Sequence, residues 1–443
     1  MSTVIIEGGF PLLGTVQVSG TRNSALKLMS AAMFSNDDVI LQNVPKIDAV
    51  EDDIKMIRVL GGKADWAGAG RLILNGSGIT SHELPLEMGS RYRTSLLMAP
   101  PLLFRFGRAS IPKYKTRSTV PRPVNRILEV WKSMGITVEE DEDYYFISSA
   151  NAVAGHVNFK IPSHMSTDAL IMTASFLPGE TEINNASEEC EIDDLIDLIN
   201  AMGGDVVRTE PRVIKIKGVN VFKGAMMEVQ PDKTEAVIFS IATLITKGNV
   251  VIKNINRNVM VPMVNFLTKI GARYEFEQNA IKIWRHDEEL QATNLTIAPT
   301  PGFVPDWQSA ATLLLTQCTG TGFVHDTVYT DRFGYIKDLN RMGAKIELLK
   351  PSEAGFVPTV SDDAYDIERL GEPYTVAKTN GPVKLKGENM NITDFRYGAV
   401  HVLAALVAEG KSEIEGTDVL DCYIENFTTK LKNLGARISD QWE

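Results

Sequence analysis

Cysteine is rare in this chain, with 3 residues in 443, at Cys190, Cys318 and Cys422. An odd number of widely separated cysteines excludes a disulfide framework and suits a reducing compartment. Histidine is scarce too, with 6 residues and neither an HExxH nor a paired-Cys spacing, so no metal site and no cofactor are expected. Long apolar runs are missing: no window approaches the ~20 apolar residues that a membrane-spanning helix needs. Positive charge is the smaller share, with 45 Lys and Arg against 56 Asp and Glu and a formal net charge of -11. Such a chain is a poor non-specific binder of nucleic acid or anionic membrane, so neither is an expected partner. Any anion site must be a local exception. The opening residues Ser2-Thr3-Val4-Ile5-Ile6-Glu7 lack the charged and apolar regions of a signal peptide and read as a first strand. A cytoplasmic protein is the expectation.

What the chain does have is a repeated phrase. An apolar residue, a glycine, then a charged or β-type segment recurs at Leu60-Gly61-Gly62, Met134-Gly135, Met202-Gly203-Gly204, Ile270-Gly271, Met342-Gly343 and Leu434-Gly435. The first glycines are 74, 68, 68, 72 and 92 residues apart. A helix-period stretch precedes each, as in Asp193 to Asn200, and glycine closes it because it accepts the left-handed conformation without a steric cost. Each unit opens with an earlier apolar helix, clearest at Ala25 to Met33, Ser309 to Leu315 and Ala399 to Leu406. These helices are apolar almost all round, which predicts burial and makes His401 a satisfied core residue rather than a ligand.

The unit therefore reads helix, strand, helix, glycine, strand, strand. Six copies fall into two groups of three, roughly 22–230 and 231–443, while residues 1–21 could pair with either half. A solenoid scaffold is the competing architecture, but its repeats usually run ~20–50 residues, shorter than these. Two globular α/β lobes fit better.

From Met88 to Leu128 the acidic chain has no Asp or Glu, yet carries Arg91, Arg93, Arg105, Arg108, Lys113, Lys115, Arg117, Arg122 and Arg126. Its middle, 112–123, has loop chemistry, with prolines bounding polar residues. Guanidinium forks suit phosphates and carboxylates, so a small phosphorylated ligand is expected, against a solvated basic loop or one touching nucleic-acid phosphates. Tyr114 alone gives thin support for base stacking. The starts of the opening helices carry Arg22-Asn23, Arg93, Asp168, Glu235, Asp306 and Arg396. Arginine at the positive end of a helix is unfavourable unless an anion joins it, which singles out Arg22, Arg93 and Arg396. Asp168 and Glu235 read as parts of caps.

Several longer stretches resemble the enolpyruvyl transferase family. They are Ser19-Gly20-Thr21-Arg22-Asn23-Ser24-Ala25-Leu26, Gln42-Asn43-Val44-Pro45, Arg105-Phe106-Gly107, Arg122-Pro123-Val124, Pro231-Asp232-Lys233-Thr234-Glu235, Pro305-Asp306-Trp307-Gln308 and Asp331-Arg332-Phe333. The resemblance covers nearly the whole length. It implies a two-lobed inside-out α/β barrel, each lobe three repeats of a small α/β unit. The first lobe is 22–230 with the cationic loop 112–123, and the second is 1–21 plus 231–443. It also implies transfer of the enolpyruvyl group of phosphoenolpyruvate to a hydroxyl of UDP-N-acetylglucosamine, with phosphate release, as in peptidoglycan synthesis. Carried over by position, Arg22 and Asn23 fall at the reacting centre, and Arg93, Arg122, Arg332 and Arg396 resemble anion-binding arginines. Asp306 matches the carboxylate beside the acceptor hydroxyl, the expected general base. Arg122, Pro123, Val124, Asn125 and Val328 fall where the family holds the nucleotide.

The pattern is broken at a few of these positions. The family loop carries a Cys or Asp as acid, whereas 109–128 has neither and Lys115 lies nearest that place. Arg22 replaces a Lys, Asn125 an Asp, and Cys422 an anion-binding Arg. These changes leave open a paralogue using another nucleotide acceptor such as UMP in secondary metabolism, or a binding protein without turnover.

Overall fold

A computed structural model describes residues 2–115, 124–361 and 365–440. The chain divides into two compact units, Gly20–Gln230 and the pair of segments Met1–Ser19 with Pro231–Glu443.

Among the described residues there are three sheets in each unit. In Gly20–Gln230 every unit of the repeat is visible. The helix Arg22–Ala32 leads to the strand Val39–Gln42, the helix Asp48–Val59 and the hairpin Lys63–Trp66 with Leu72–Asn75. The same order returns from Arg93 to Ser148 and from His164 to Lys217. The opening helices are buried nearly all round, as their composition predicts: nine residues of Arg22–Ala32, from Ser24 to Ala32, are inaccessible. The second helix of each unit is amphipathic instead and covers the sheet.

All six repeat glycines have left-handed backbones, with φ of 101° at Gly61, 78° at Gly135, 95° at Gly203, 77° at Gly271, 105° at Gly343 and 94° at Gly435. The periodicity therefore marks a backbone requirement, the point at which the chain leaves a helix and turns into a strand.

In the second unit, Met1–Ser19 with Pro231–Glu443, the N-terminal segment supplies strands that later repeats lack. Thr3–Glu7 lies between Lys411–Glu415 and Arg437–Asp440, antiparallel to both. It thus takes the place of the second hairpin strand in the last repeat. Leu13–Gln17 runs parallel to Asn249–Lys253 and completes the sheet of the fourth. His401 is a core residue, 1% exposed, but only half satisfied: its Nε2 lies 2.9 Å from Asp338 Oδ2, while its Nδ1 is buried without a hydrogen-bond partner. Among the described residues no helix is long and apolar enough to cross a membrane.

One repeat is irregular. Four hairpins are closed by short links, between Trp66 and Leu72, Glu140 and Tyr144, Glu210 and Val213, and Glu277 and Ala280. The hairpin of Glu347–Leu349 and Val376–Gly381 is closed by an excursion, 350–375. This is where the long 92-residue spacing comes from.

Candidate active site

In Gly20–Gln230, Arg22 and Asn23 are half-buried on the first turn of Arg22–Ala32. That turn is fixed from behind. Ser24 donates to Asp194 Oδ2, Gln230 Nε2 donates to Asp194 Oδ1 at 2.7 Å, and the Thr21 amide donates to the Gln230 carbonyl at 2.7 Å. Burial pushes Asp194 up to about 6, partly offset by these hydrogen bonds. Arg93, also half-buried, begins the 3-10 turn Arg93–Met98.

The cationic stretch is less open than its composition implies. Arg105 is a structural residue: its Nε donates to the Met33 carbonyl at 2.8 Å and its Nη2 to the Ser35 carbonyl at 3.1 Å, satisfying carbonyls just past the first opening helix. Lys113 is paired with Glu140 at 2.7 Å and Lys115 with Asp143 at 2.8 Å. The acids come from the neighbouring hairpin, outside the acid-free window. Lys115 is 62% exposed, and its hydrogen bond to Asp143 raises its pKa, so giving up its proton requires that pair to open. Val124 precedes the helix Asn125–Ser133, whose first residue, Asn125, is exposed. Arg122 and Pro123, with Arg117, lie outside the described residues.

Two residues read as caps behave otherwise. The helix His164–Ala174 starts at His164 with Ser163 as cap, so Asp168 sits inside it, 1% exposed. Its Oδ1 accepts from Lys27 Nζ at 2.7 Å, and the same ammonium lies 2.5 Å from His164 Nε2. Burial raises Asp168 to about 7 although Lys27 pulls it down. Glu235 lies one turn into Lys233–Ile245, behind the true cap Asp232, and is paired with Lys430 and the Ser19 amide. It too is raised by burial to about 7. The true caps could not be told from their neighbours because Ser, Asp and Thr cluster at these helix starts.

The other unit holds a second cluster. Asp306 lies in the short turn Pro305–Trp307, ahead of the helix Gln308–Leu315. The turn is held by buried Trp307, whose Nε1 donates to Thr234 Oγ1 at 3.2 Å. Arg332 Nη1 meets Asp306 Oδ1 at 2.7 Å, and Tyr423 donates its hydroxyl to Oδ2 at 3.2 Å. Arg332 is 4% exposed and its guanidinium lies 4.3 Å from the Tyr329 ring centre. Burial works against its charge, but Asp306, Tyr329 and Asp326 raise its pKa on balance. Val328 is half-buried, and its amide and that of Tyr329 donate to Asp326 Oδ1 at 2.8 and 3.0 Å. These bonds shape the loop that delivers Arg332.

Arg396 follows the cap Asp394 on the helix Phe395–Val407. Its Nε donates to Asp394 at 2.7 Å, its Nη1 to Asp331 Oδ2 at 2.8 Å, and Nη2 also meets Asp394. The arginine is therefore held by two carboxylates, and an incoming anion has to compete with them. Tyr423, Asp331 and Asp394 were not singled out as site residues from the sequence. They are brought to Asp306 and Arg396 over separations of 117, 65 and 2 positions. Only the last is a local signal.

The structure thus gathers Asp306, Arg332, Val328 and Arg396 in one unit, and carries Arg22, Asn23, Arg93, Lys115, Val124 and Asn125 in the other. Among the described residues no group of three or more His, Cys, Asp or Glu is placed to hold a metal ion.

A family profile for EPSP synthase (3-phosphoshikimate 1-carboxyvinyltransferase) matches residues 6–431. The chain belongs to the EPSP synthase family. Among curated members, the UDP-N-acetylglucosamine 1-carboxyvinyltransferase of Desulfosudis oleivorans is 30% identical over 438 residues, 99% of either chain. UDP-N-acetylglucosamine 1-carboxyvinyltransferase 2 of Carboxydothermus hydrogenoformans is 31% identical over 440 residues, again 99% of each. Among solved structures, the enolpyruvyl transferase NikO from Streptomyces tendae superposes with a TM-score of 0.86 at 21% identity, covering 99% of this chain and 98% of that one. Membership makes the chain a transferase of the carboxyvinyl, or enolpyruvyl, group, with the two-lobed α/β fold of that family.

Proposed function

We propose that this family member transfers the enolpyruvyl group of phosphoenolpyruvate to a hydroxyl of UDP-N-acetylglucosamine and releases phosphate, in the cytoplasm. The observation that carries the acceptor is the end-to-end match, at about 30% identity, to curated enzymes named for that sugar nucleotide. The likeness to NikO supports the fold and adds nothing for another acceptor such as UMP.

The reaction needs cations to neutralise phosphate and carboxylate, a base for the acceptor proton and an acid for the enol methylene. Asp306 is the base in this reading. Arg332 and Tyr423 hold its carboxylate in one orientation, while 35% of its side chain stays accessible to a hydroxyl. Arg22, Asn23, Arg93, Arg122, Arg332 and Arg396 bind the anionic groups, and Val124, Asn125, Pro123 and Val328 hold the nucleotide. Lys115 supplies the methylene proton once it leaves Asp143.

The test measures phosphate release from phosphoenolpyruvate with UDP-N-acetylglucosamine, UMP or shikimate phosphate as acceptor. Release with the first alone is expected, and release only with another overturns the acceptor. Asp306→Ala should cost at least ~100-fold in kcat, the scale of a lost general base, while calorimetric binding of UDP-N-acetylglucosamine persists. Unchanged turnover removes Asp306 from the mechanism.

A further inference from the structure

Loops longer than ~12–15 residues without regular structure are uncommon in compact domains and are usually functional. The excursion 350–375 is such a loop: apart from one turn at Ser352–Ala354 and another at Ile367–Leu370, its described part is irregular. It is not loosely attached. Phe356 packs on His325 and Phe323, with ring centres 5.0 and 6.0 Å apart, and its amide donates to the Pro351 carbonyl at 2.9 Å. The Ser361 amide donates to the Thr327 carbonyl at 2.8 Å, beside Val328. The Ser352 amide donates to Glu372 Oε2 at 3.0 Å, tying the two ends of the excursion together.

Held in this way, the excursion faces the loop that carries Asp331. Between them lies an open cavity of about 710 Å³. Its walls are chemically of two kinds. Phe333, Tyr365 and Tyr374 give aromatic surface, with Leu348, Leu370 and Pro373 beside them. Asp331 and Glu372 give carboxylates against the single ammonium of Lys350, which lies 5.5 Å from the Tyr374 ring centre. Asp331 is already paired with Arg396, and Glu372, which accepts from the Ser352 amide, is balanced by Lys350, so the lining has no excess of cations to attract a phosphate or a carboxylate. A ring with one apolar face and hydroxyls at its edge suits it, because the aromatic faces take the C–H side and the carboxylates accept from the hydroxyls.

We propose that this cavity is a binding site for a neutral pyranose, built by the long hairpin link of the fifth repeat and adjoining the Asp306–Arg332 cluster through Asp331. The site does not depend on which acceptor the enzyme uses.

Saturation-transfer NMR on the full chain, with N-acetylglucosamine as probe and UDP in a parallel arm, tests this. N-acetylglucosamine should receive saturation, and its affinity should fall at least tenfold in Tyr374→Ala and in Glu372→Gln, both surface positions whose folding is checked by circular dichroism. Binding should survive Asp306→Ala. The proposal is overturned by no transfer to the sugar, by equal transfer in wild type and both variants, or by loss in Asp306→Ala alone, which puts the sugar in the other cluster. UDP binding that depends on Tyr374 while the sugar does not bind also overturns it. Turnover with each acceptor is read separately, so a failed acceptor assignment leaves the binding result intact.

Discussion

At the scale of single residues, buried charge is the most consequential feature. Lys27 and Asp168, each 1% exposed, form an ion pair between two helices that are buried nearly all round. Removing one partner leaves the other charge stranded, so Lys27→Met should destabilise the protein by ~3–5 kcal/mol in urea unfolding at pH 8. The cost should shrink at pH 5.5, where Asp168 without its cation takes up a proton. The double variant with Asp168→Asn should recover part of the loss, since the two positions act as one unit. An equal cost at both pH values contradicts this account. The pair was not legible in the sequence: 141 positions separate its members, and Asp168 beside a helix start reads as a cap.

At the scale of the element, the repeat glycine and the hairpin after it define each unit. The six glycines share a left-handed backbone but not the space around them. A Cβ at Gly271 meets nothing within 4 Å, whereas one at Gly61 lies 2.2 Å from the carbonyl oxygen of Gly78. Gly271→Ala should therefore cost only the left-handed penalty, ~1–2 kcal/mol. Gly61→Ala should cost clearly more, because backbone must move as well. Urea midpoints of the two variants check the ranking, and equal losses would refute it. The helices, strands and their order were legible because burial imposes a period and glycine marks the turn. The caps were less so, since neighbouring polar residues compete for each position.

For the whole molecule, five buried carboxylates among the described residues set the response to pH. Burial raises Asp168 and Glu235 to about 7, Asp194 and Asp326 to about 6, and Asp53 well above the ordinary carboxylate range. Each binds its proton more tightly in the folded chain than in the unfolded one. Their stabilisation is complete below the ordinary carboxylate range, and it is lost as pH rises through 6 to 7. His325, whose pKa burial lowers, works in the opposite sense but is a single group. Surface carboxylates held low by partners, such as Asp38 beside Lys63, act only at more acid pH. The urea midpoint should therefore be higher at pH 5.5 than at pH 8, and a midpoint that rises over this interval is the contrary result.

The amino-acid sequence by itself determined the six-fold repeat, the α/β class and the family, because each rests on local periodicity, on glycine's backbone freedom or on contiguous motifs. Tertiary structure alone decided the use of those parts. Thr3–Glu7 enters the last repeat's sheet, Arg105 closes the first helix, Lys113 and Lys115 meet acids from a neighbouring hairpin, and Arg396 is held by Asp331. Such pairings join distant positions through packing, and a distant partner leaves no trace in local spacing. Charge counted along the chain therefore overstated the free cations, since side chains are neutralised by their neighbours in space.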